Sequence, residues 1–153
     1  MHQYLGWLPF LVGFDMSQIL NMPTKAVSQQ KIILLVEDYP AGMLVGTLIL
    51  EHLGYKVETA DSGHAAIEKL LTAPQHFLAI LMDVQMQDID GFEATKIIRE
   101  LEFKGTLTQE NIIIAITAHA LAGDRDRCLK AGMNDYISKP LHPDILAKKL
   151  ALL

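Results

Sequence analysis

From Lys31 onward, five short apolar runs alternate with five stretches of helical length, and this alternation leaves few folds open. The runs are Ile32–Val36, Tyr55–Ala60, Leu78–Met82, Ile112–Ile116 and Tyr136–Ser138. The stretches between and after them are Ala41–Leu53, Ala65–Ala73, Phe92–Glu102, Ala122–Ala131 and Asp144–Leu153. Strict β–α alternation implies an α/β fold, a parallel sheet with helices on both faces. Runs one, three and four are continuously apolar, as strands buried on both faces are. Run two, in "YKVETA", alternates polar and apolar residues, which marks an edge strand. A doubly wound five-stranded sheet of order 2-1-3-4-5 meets both conditions and predicts a site at the carboxyl ends of strands one and three. Punctuation agrees: Gly54 and Gly132 stand at helix C-caps, Ser62 at an N-cap, and Pro40 and Pro143 in first turns.

Chemistry gathers at those strand ends. Strand one runs into Glu37 and Asp38, strand three into Asp83, strand four into Thr117, and strand five into Lys139-Pro140. Two carboxylates ~5 Å apart repel by ~3 kcal/mol at an effective dielectric of ~20, so the adjacent acids need water or a cation between them. Each residue alone has a plain role: a helix cap for Glu37, Asp38 or Thr117, a loop acid for Asp83, a solvated lysine for Lys139. Together they form an oxygen-rich site suited to Mg²⁺. Carboxylates can act as nucleophiles and become acyl phosphates, and phosphoryl transfer asks the protein mainly for position and charge neutralisation. Asp83, alone at its strand end, is the natural nucleophile, and Glu37 with Asp38 is the natural metal seat.

Composition excludes other classes. The chain of 153 residues carries a formal net charge of −5, opposite to the basic footprint of a nucleic-acid binder. Its one cysteine, Cys128, makes no internal disulfide and fits a reducing cytoplasm. Residues 1–30 read as an extension and linker, and 31–153 as the folded domain. The apolar stretch "YLGWLPFLVGF", residues 4 to 14, is broken by Gly6, Pro9 and Gly13 and falls short of the ~20 residues a membrane span needs. No basic residue precedes it as a secretory leader would require.

The motifs "LLVEDYP", "LMDVQMQDIDGFEAT", "AITAHA" and "CLKAGMNDYISKPL", in this order and spacing, closely resemble the response-regulator receiver domain of two-component signalling. Their wording is nearest to receivers of hybrid sensor histidine kinases and phosphorelays. The resemblance runs from about Lys31 to Leu150. It implies a flavodoxin-like fold that accepts a phosphoryl group from a phosphohistidine, with no enzymatic turnover of a separate substrate. It implies Asp83 as phosphoacceptor and Mg²⁺ held by Glu37, Asp38, Asp83 and the backbone carbonyl of Gln85. Thr117 and Lys139 would contact the phosphoryl group, and the Lys139–Pro140 peptide would be cis. Tyr136 would be the aromatic switch residue, and Gln85 and His119 would tune dephosphorylation.

Three positions depart from the family pattern: Tyr39 and Gly42, where Asn is frequent, and Gln87, where proline is usual. Loss of that proline is expected to loosen the loop from Gln85 to Asp90. In the first helix Met43, Leu44, Val45, Leu48, Ile49, Leu50 and Leu53 point almost all round, more than one buried stripe requires. The surplus is covered by the extension or offered to a partner, which the resemblance names as a histidine kinase or histidine phosphotransfer domain. Two alternatives use the same residues: an aspartyl-phosphate phosphohydrolase, and a degenerate receiver that only docks. The hydrolase reading lacks the second aspartate two positions after the nucleophile, where Gln85 stands.

Overall fold

A computed structural model of the protein describes residues 31–72, 76–118 and 122–153, the side chains at 122 and 124 excepted. The extension at 1–30, the last residue expected in the second helix, Ala73, and the expected site residue His119 lie outside the described residues. The element order is β1 (Ile32–Val36), α1 (Pro40–His52), β2 (Lys56–Ala60), α2 (Gly63–Thr72), β3 (Ala79–Asp83), α3 (Gly91–Phe103), β4 (Ile113–Thr117), α4 (Ala122–Lys130), β5 (Asp135–Ser138) and α5 (Pro143–Leu150). All five strands are parallel, in the order 2-1-3-4-5. β2 is an edge strand, as its alternation requires. Among the described residues, no helix is long and apolar enough to cross a membrane.

Alternate residues of each central strand face opposite sides of a sheet, and two cores follow from this. Ile33 and Leu35 of β1, Leu81 of β3 and Ile114 and Ile116 of β4 pack with Ile49 and Leu50 of α1 and Leu146 and Leu150 of α5. Leu34, Val36, Ile80, Met82 and Ala115 pack on the other side with Ala66 of α2, Ala94 and Ile98 of α3 and Cys128 of α4. α1 is buried through Gly46, Ile49 and Leu50, while Leu44 and Leu48 stay 60% and 39% exposed. These two lie four apart, on one side of the helix.

Most expected boundaries move by one or two residues. β3 and β4 each begin and end one residue later than expected, so Asp83 and Thr117 belong to the strands themselves. Ser62 caps α2: its hydroxyl oxygen accepts the Ala65 N–H at 3.1 Å. Gly54 and Gly132 close α1 and α4 with φ of 89° and 95°. Asp90 caps α3 by accepting the Glu93 N–H at 2.8 Å.

The turn from β3 into α3 brings backbone close to backbone. The Gly91 N–H donates to the Val84 carbonyl at 3.0 Å. A Cβ at position 91 would lie 2.3 Å from the Asp83 carbonyl oxygen and 2.9 Å from the Val84 Cα. Because those neighbours are backbone, Gly91→Ala should destabilise the protein by about 1–3 kcal/mol, seen as a lower urea midpoint. An unchanged midpoint would mean that this turn yields freely.

Candidate functional site

The sheet itself assembles the site. β1 and β3 are neighbours, so the residues that leave their carboxyl ends lie side by side. The Glu37 N–H continues the β1–β2 ladder by donating to the Ala60 carbonyl at 3.0 Å, which turns the Glu37 side chain inward. Asp83 closes β3. Both are buried, at 4% and 1% exposure. Asp38, one residue further on, is half-buried. One carboxylate oxygen from each of the three lies within 4.8 Å of the others, a hard donor set of the kind Mg²⁺ takes. These residues therefore fit a divalent cation.

Lys139 arrives from the other side of the sheet. Its N–H donates to the Thr117 carbonyl at 2.7 Å, and the following peptide to Pro140 is cis, as expected. Its ammonium then donates to Glu37 Oε2 and Asp83 Oδ2, each at 2.9 Å. In this structure one lysine bridges two of the three acids, an arrangement that its place in the sequence did not disclose.

One oxygen of each acid is met by the backbone. Tyr39 N–H donates to Glu37 Oε1 at 3.2 Å, Gln85 N–H to Asp83 Oδ1 at 3.0 Å, and Gln87 N–H to Asp38 Oδ2 at 2.9 Å. Gly42 makes room for the arrangement. A Cβ there would stand 2.8 Å from Glu37 Cδ and 2.9 Å from Oε2. The glycine that departs from the family pattern is where the Glu37 carboxyl lies.

Thr117 ends β4, buried, and beside it opens a cavity of about 470 Å³ whose walls include Gln85, Met86, Phe92 and Arg127. Tyr136 is half-buried against the core that contains α4. Its ring lies under the Lys149 ammonium, 5.6 Å from the centroid, and Lys149 is ion-paired with Asp135. The structure thus brings together Glu37, Asp38, Asp83 and Lys139, with Thr117 at the adjoining strand end.

Three comparisons with known proteins bear on this geometry. A family profile for the response regulator receiver domain matches residues 33–151. The chain belongs to this family. The receiver is 40% identical over 114 residues to the signal transduction histidine-protein kinase BarA of Escherichia coli K12, an alignment that covers 74% of this chain and 12% of the kinase. It spans about an eighth of the length of the first curated relatives it matches. Among solved structures it resembles the receiver domain of sensor histidine kinase PA1611 from Pseudomonas aeruginosa PAO1, at 41% identity and a TM-score of 0.67, over 81% of this chain and 97% of that one. The PA1611 structure has a magnesium ion coordinated in its active-site cleft. A chain of the co-crystal of Saccharomyces cerevisiae Ypd1, a histidine phosphotransfer protein, with the receiver of Ssk1 matches at a TM-score of 0.73 and 28% identity, over 82% and 90% of the two chains. The protein is a receiver domain of the two-component and phosphorelay type.

The site is electrostatically unbalanced. Burial, opposed by Lys139 and reinforced by the neighbouring Asp83 carboxylate, pushes the Glu37 carboxyl up from 4.5 to about 7. A raised folded-state value means that the folded receiver holds the Glu37 proton more tightly than the unfolded chain. That contribution to stability is fully present below pH 4.5 and is lost as the pH rises through 7. Glu37→Gln is not subject to this loss. In metal-free buffer its stability relative to wild type should therefore rise between pH 5 and 8, by up to about 3 kcal/mol. Urea melts of both proteins with a chelator present measure this, and a pH-independent difference would show that Glu37 titrates normally.

Proposed function

We propose that this receiver accepts a phosphoryl group on Asp83 from a phosphohistidine, in a Mg²⁺-dependent reaction that switches the surface around α4 and Tyr136. The observation that carries the proposal is the placing of Asp83: buried at the end of β3, next to Glu37 and bridged to it by Lys139. Mg²⁺ would be held by Glu37, Asp38, Asp83 and the Gln85 backbone carbonyl. When bound, it supplies positive charge against the carboxylates and the phosphoryl oxygens. The folded unit is residues 31–153, with 1–30 an extension.

The chain's own residues do the rest. An Asp83 carboxylate oxygen attacks phosphorus as the bond to the donor histidine nitrogen breaks. That nitrogen keeps the electron pair and, with the other ring nitrogen of the phosphohistidine carrying a proton, leaves as the neutral imidazole of the donor. Lys139 is already at hydrogen-bond distance from Asp83 and need only turn to meet the new phosphoryl oxygens. Thr117 offers its hydroxyl from the neighbouring strand. Gln85 and His119 are the residues that, on the family's pattern, would govern the approach of the water that later hydrolyses the acyl phosphate. The donor, a histidine kinase or phosphotransfer domain, meets the receiver near α1, where Leu44 and Leu48 present an apolar edge. The Ypd1–Ssk1 complex supports a partner of this class.

Incubation with acetyl phosphate and Mg²⁺ should add one phosphoryl group to the intact mass. Asp83→Asn should abolish the gain, and a chelator should suppress it in the wild type. A variant that gains the group at the wild-type rate would remove Asp83 from this role.

Phosphorylation adds about −1.5 to −2 charges near neutral pH. These draw the Thr117 hydroxyl inward and open space that the Tyr136 ring can fill. A hydrogen bond to a charged group is worth ~1.5–3 kcal/mol, enough for a roughly 10- to 150-fold shift in population. Thr117→Ala should keep the acceptor reaction yet lose the shift of backbone NMR signals across 122–138 that beryllium trifluoride produces in the wild type. Identical shifts in both proteins would exclude Thr117 as the coupling residue.

A further inference from the structure

Each acid of the cluster has one oxygen fixed by a backbone N–H, but the three bonds differ in reach. Those to Glu37 and Asp83 come from two residues further along the chain. The bond to Asp38 Oδ2 comes from Gln87, 49 residues away, at 2.9 Å. It joins the end of β1 to the β3–α3 loop across the mouth of the site. Asp38 needs such a partner more than the other two acids. It lies between β1 and α1, outside both, half-buried, and among the described residues its Oδ1 has no hydrogen-bond partner. With Oδ2 fixed, Oδ1 is the oxygen available to a cation.

We propose that the Gln87 backbone N–H is a positioning group for the metal site. It holds Asp38 in the orientation that ligates, so closure of the 85–90 loop and cation binding favour one another. The proposal rests on the Mg²⁺ reading above. Its physical basis is general: a ligating carboxylate keeps its aim through outer hydrogen bonds, and loss of one typically weakens metal binding 10- to 100-fold. Position 87 is also where a proline would remove the donor, because proline has no N–H. The chain departs from its family pattern at the one loop position whose N–H reaches the cluster from afar. Coupling of this kind is reciprocal, so the cation must steady the loop as much as the loop steadies Asp38.

The loop has other anchors that do not depend on Gln87. Asp88 Oδ2 lies 2.5 Å from His64 Nδ1 at the start of α2. Ile89 packs at Gly63, where a Cβ would lie 2.5 Å from its Cγ1. The Asp90 cap and the Gly91 N–H bond to the Val84 carbonyl secure its far end.

The test compares Gln87→Pro, which lacks the N–H, with Gln87→Ala, which keeps it. Calorimetric Mg²⁺ titration at fixed pH and ionic strength should give Gln87→Pro an affinity 10- to 100-fold below wild type, with Gln87→Ala equal to wild type. In the wild-type protein, hydrogen exchange of the Gln87 amide should slow when Mg²⁺ is added. An affinity of Gln87→Pro equal to or above wild type overturns the proposal, as does exchange that is unchanged or faster with Mg²⁺. If Gln87→Pro does not fold, the exchange measurement on the wild type decides alone. A wild-type protein that binds no Mg²⁺ overturns the metal reading itself, and this proposal with it. That result is distinct from equal binding by wild type and Gln87→Pro.

Discussion

The contact on which the site depends is a single ammonium shared by two buried carboxylates. Glu37 and Asp83 lie almost wholly out of water, where an unpaired charge is costly, and Lys139 stands 2.9 Å from both. The strand order exists to make that contact. β1 beside β3 sets the acids together, and β4 then β5 carry the lysine to them. One positive charge does not neutralise three carboxylates. Burial first, and then the neighbouring Asp83 carboxylate, push the Glu37 carboxyl up to about 7 against the pull of Lys139. A site left short of positive charge is one that a divalent cation can complete.

The sheet was legible because its signals are redundant. Apolar β1, β3 and β4, an alternating β2 and glycines after α1 and α4 each point to the same topology, and agreement between levels is what specifies a fold. The acids and Thr117 were legible because strand ends are sequence positions. The role of Lys139 was not. Whether its ammonium meets a ligand or the acids depends on side-chain reach across 102 residues of separation, which no local pattern encodes. The backbone donors at Tyr39, Gln85 and Gln87 were hidden for another reason. An N–H looks the same at every residue but proline, so the absent proline at 87 was the only trace, and it read as looseness. The loop proves to be tied to Asp38.

Gly42 and α1 show how a departure from pattern acquires meaning from packing. Gly42 read only as a departure from the family pattern, yet the space beside it belongs to Glu37. The apolar excess of α1 resolves into a buried side, carried by Ile49 and Leu50, and an exposed pair, Leu44 and Leu48. A wheel drawn from sequence counts apolar residues in every direction, and only the sheet beneath decides which direction is inward. The same helix thus serves the core with one side and leaves an apolar pair exposed on the other.

The long span of the lysine bridge has a consequence for the protein's birth. Asp83 and Lys139 are 56 residues apart, and Glu37 and Lys139 are 102 apart. Contacts of such separation form only after the intervening loops have closed, late on the folding path. A nascent chain that has emerged only through β3 carries its acids without their counter-charge. The lysine bridge therefore arrives with the last strand, and its presence marks that the whole sheet has been assembled.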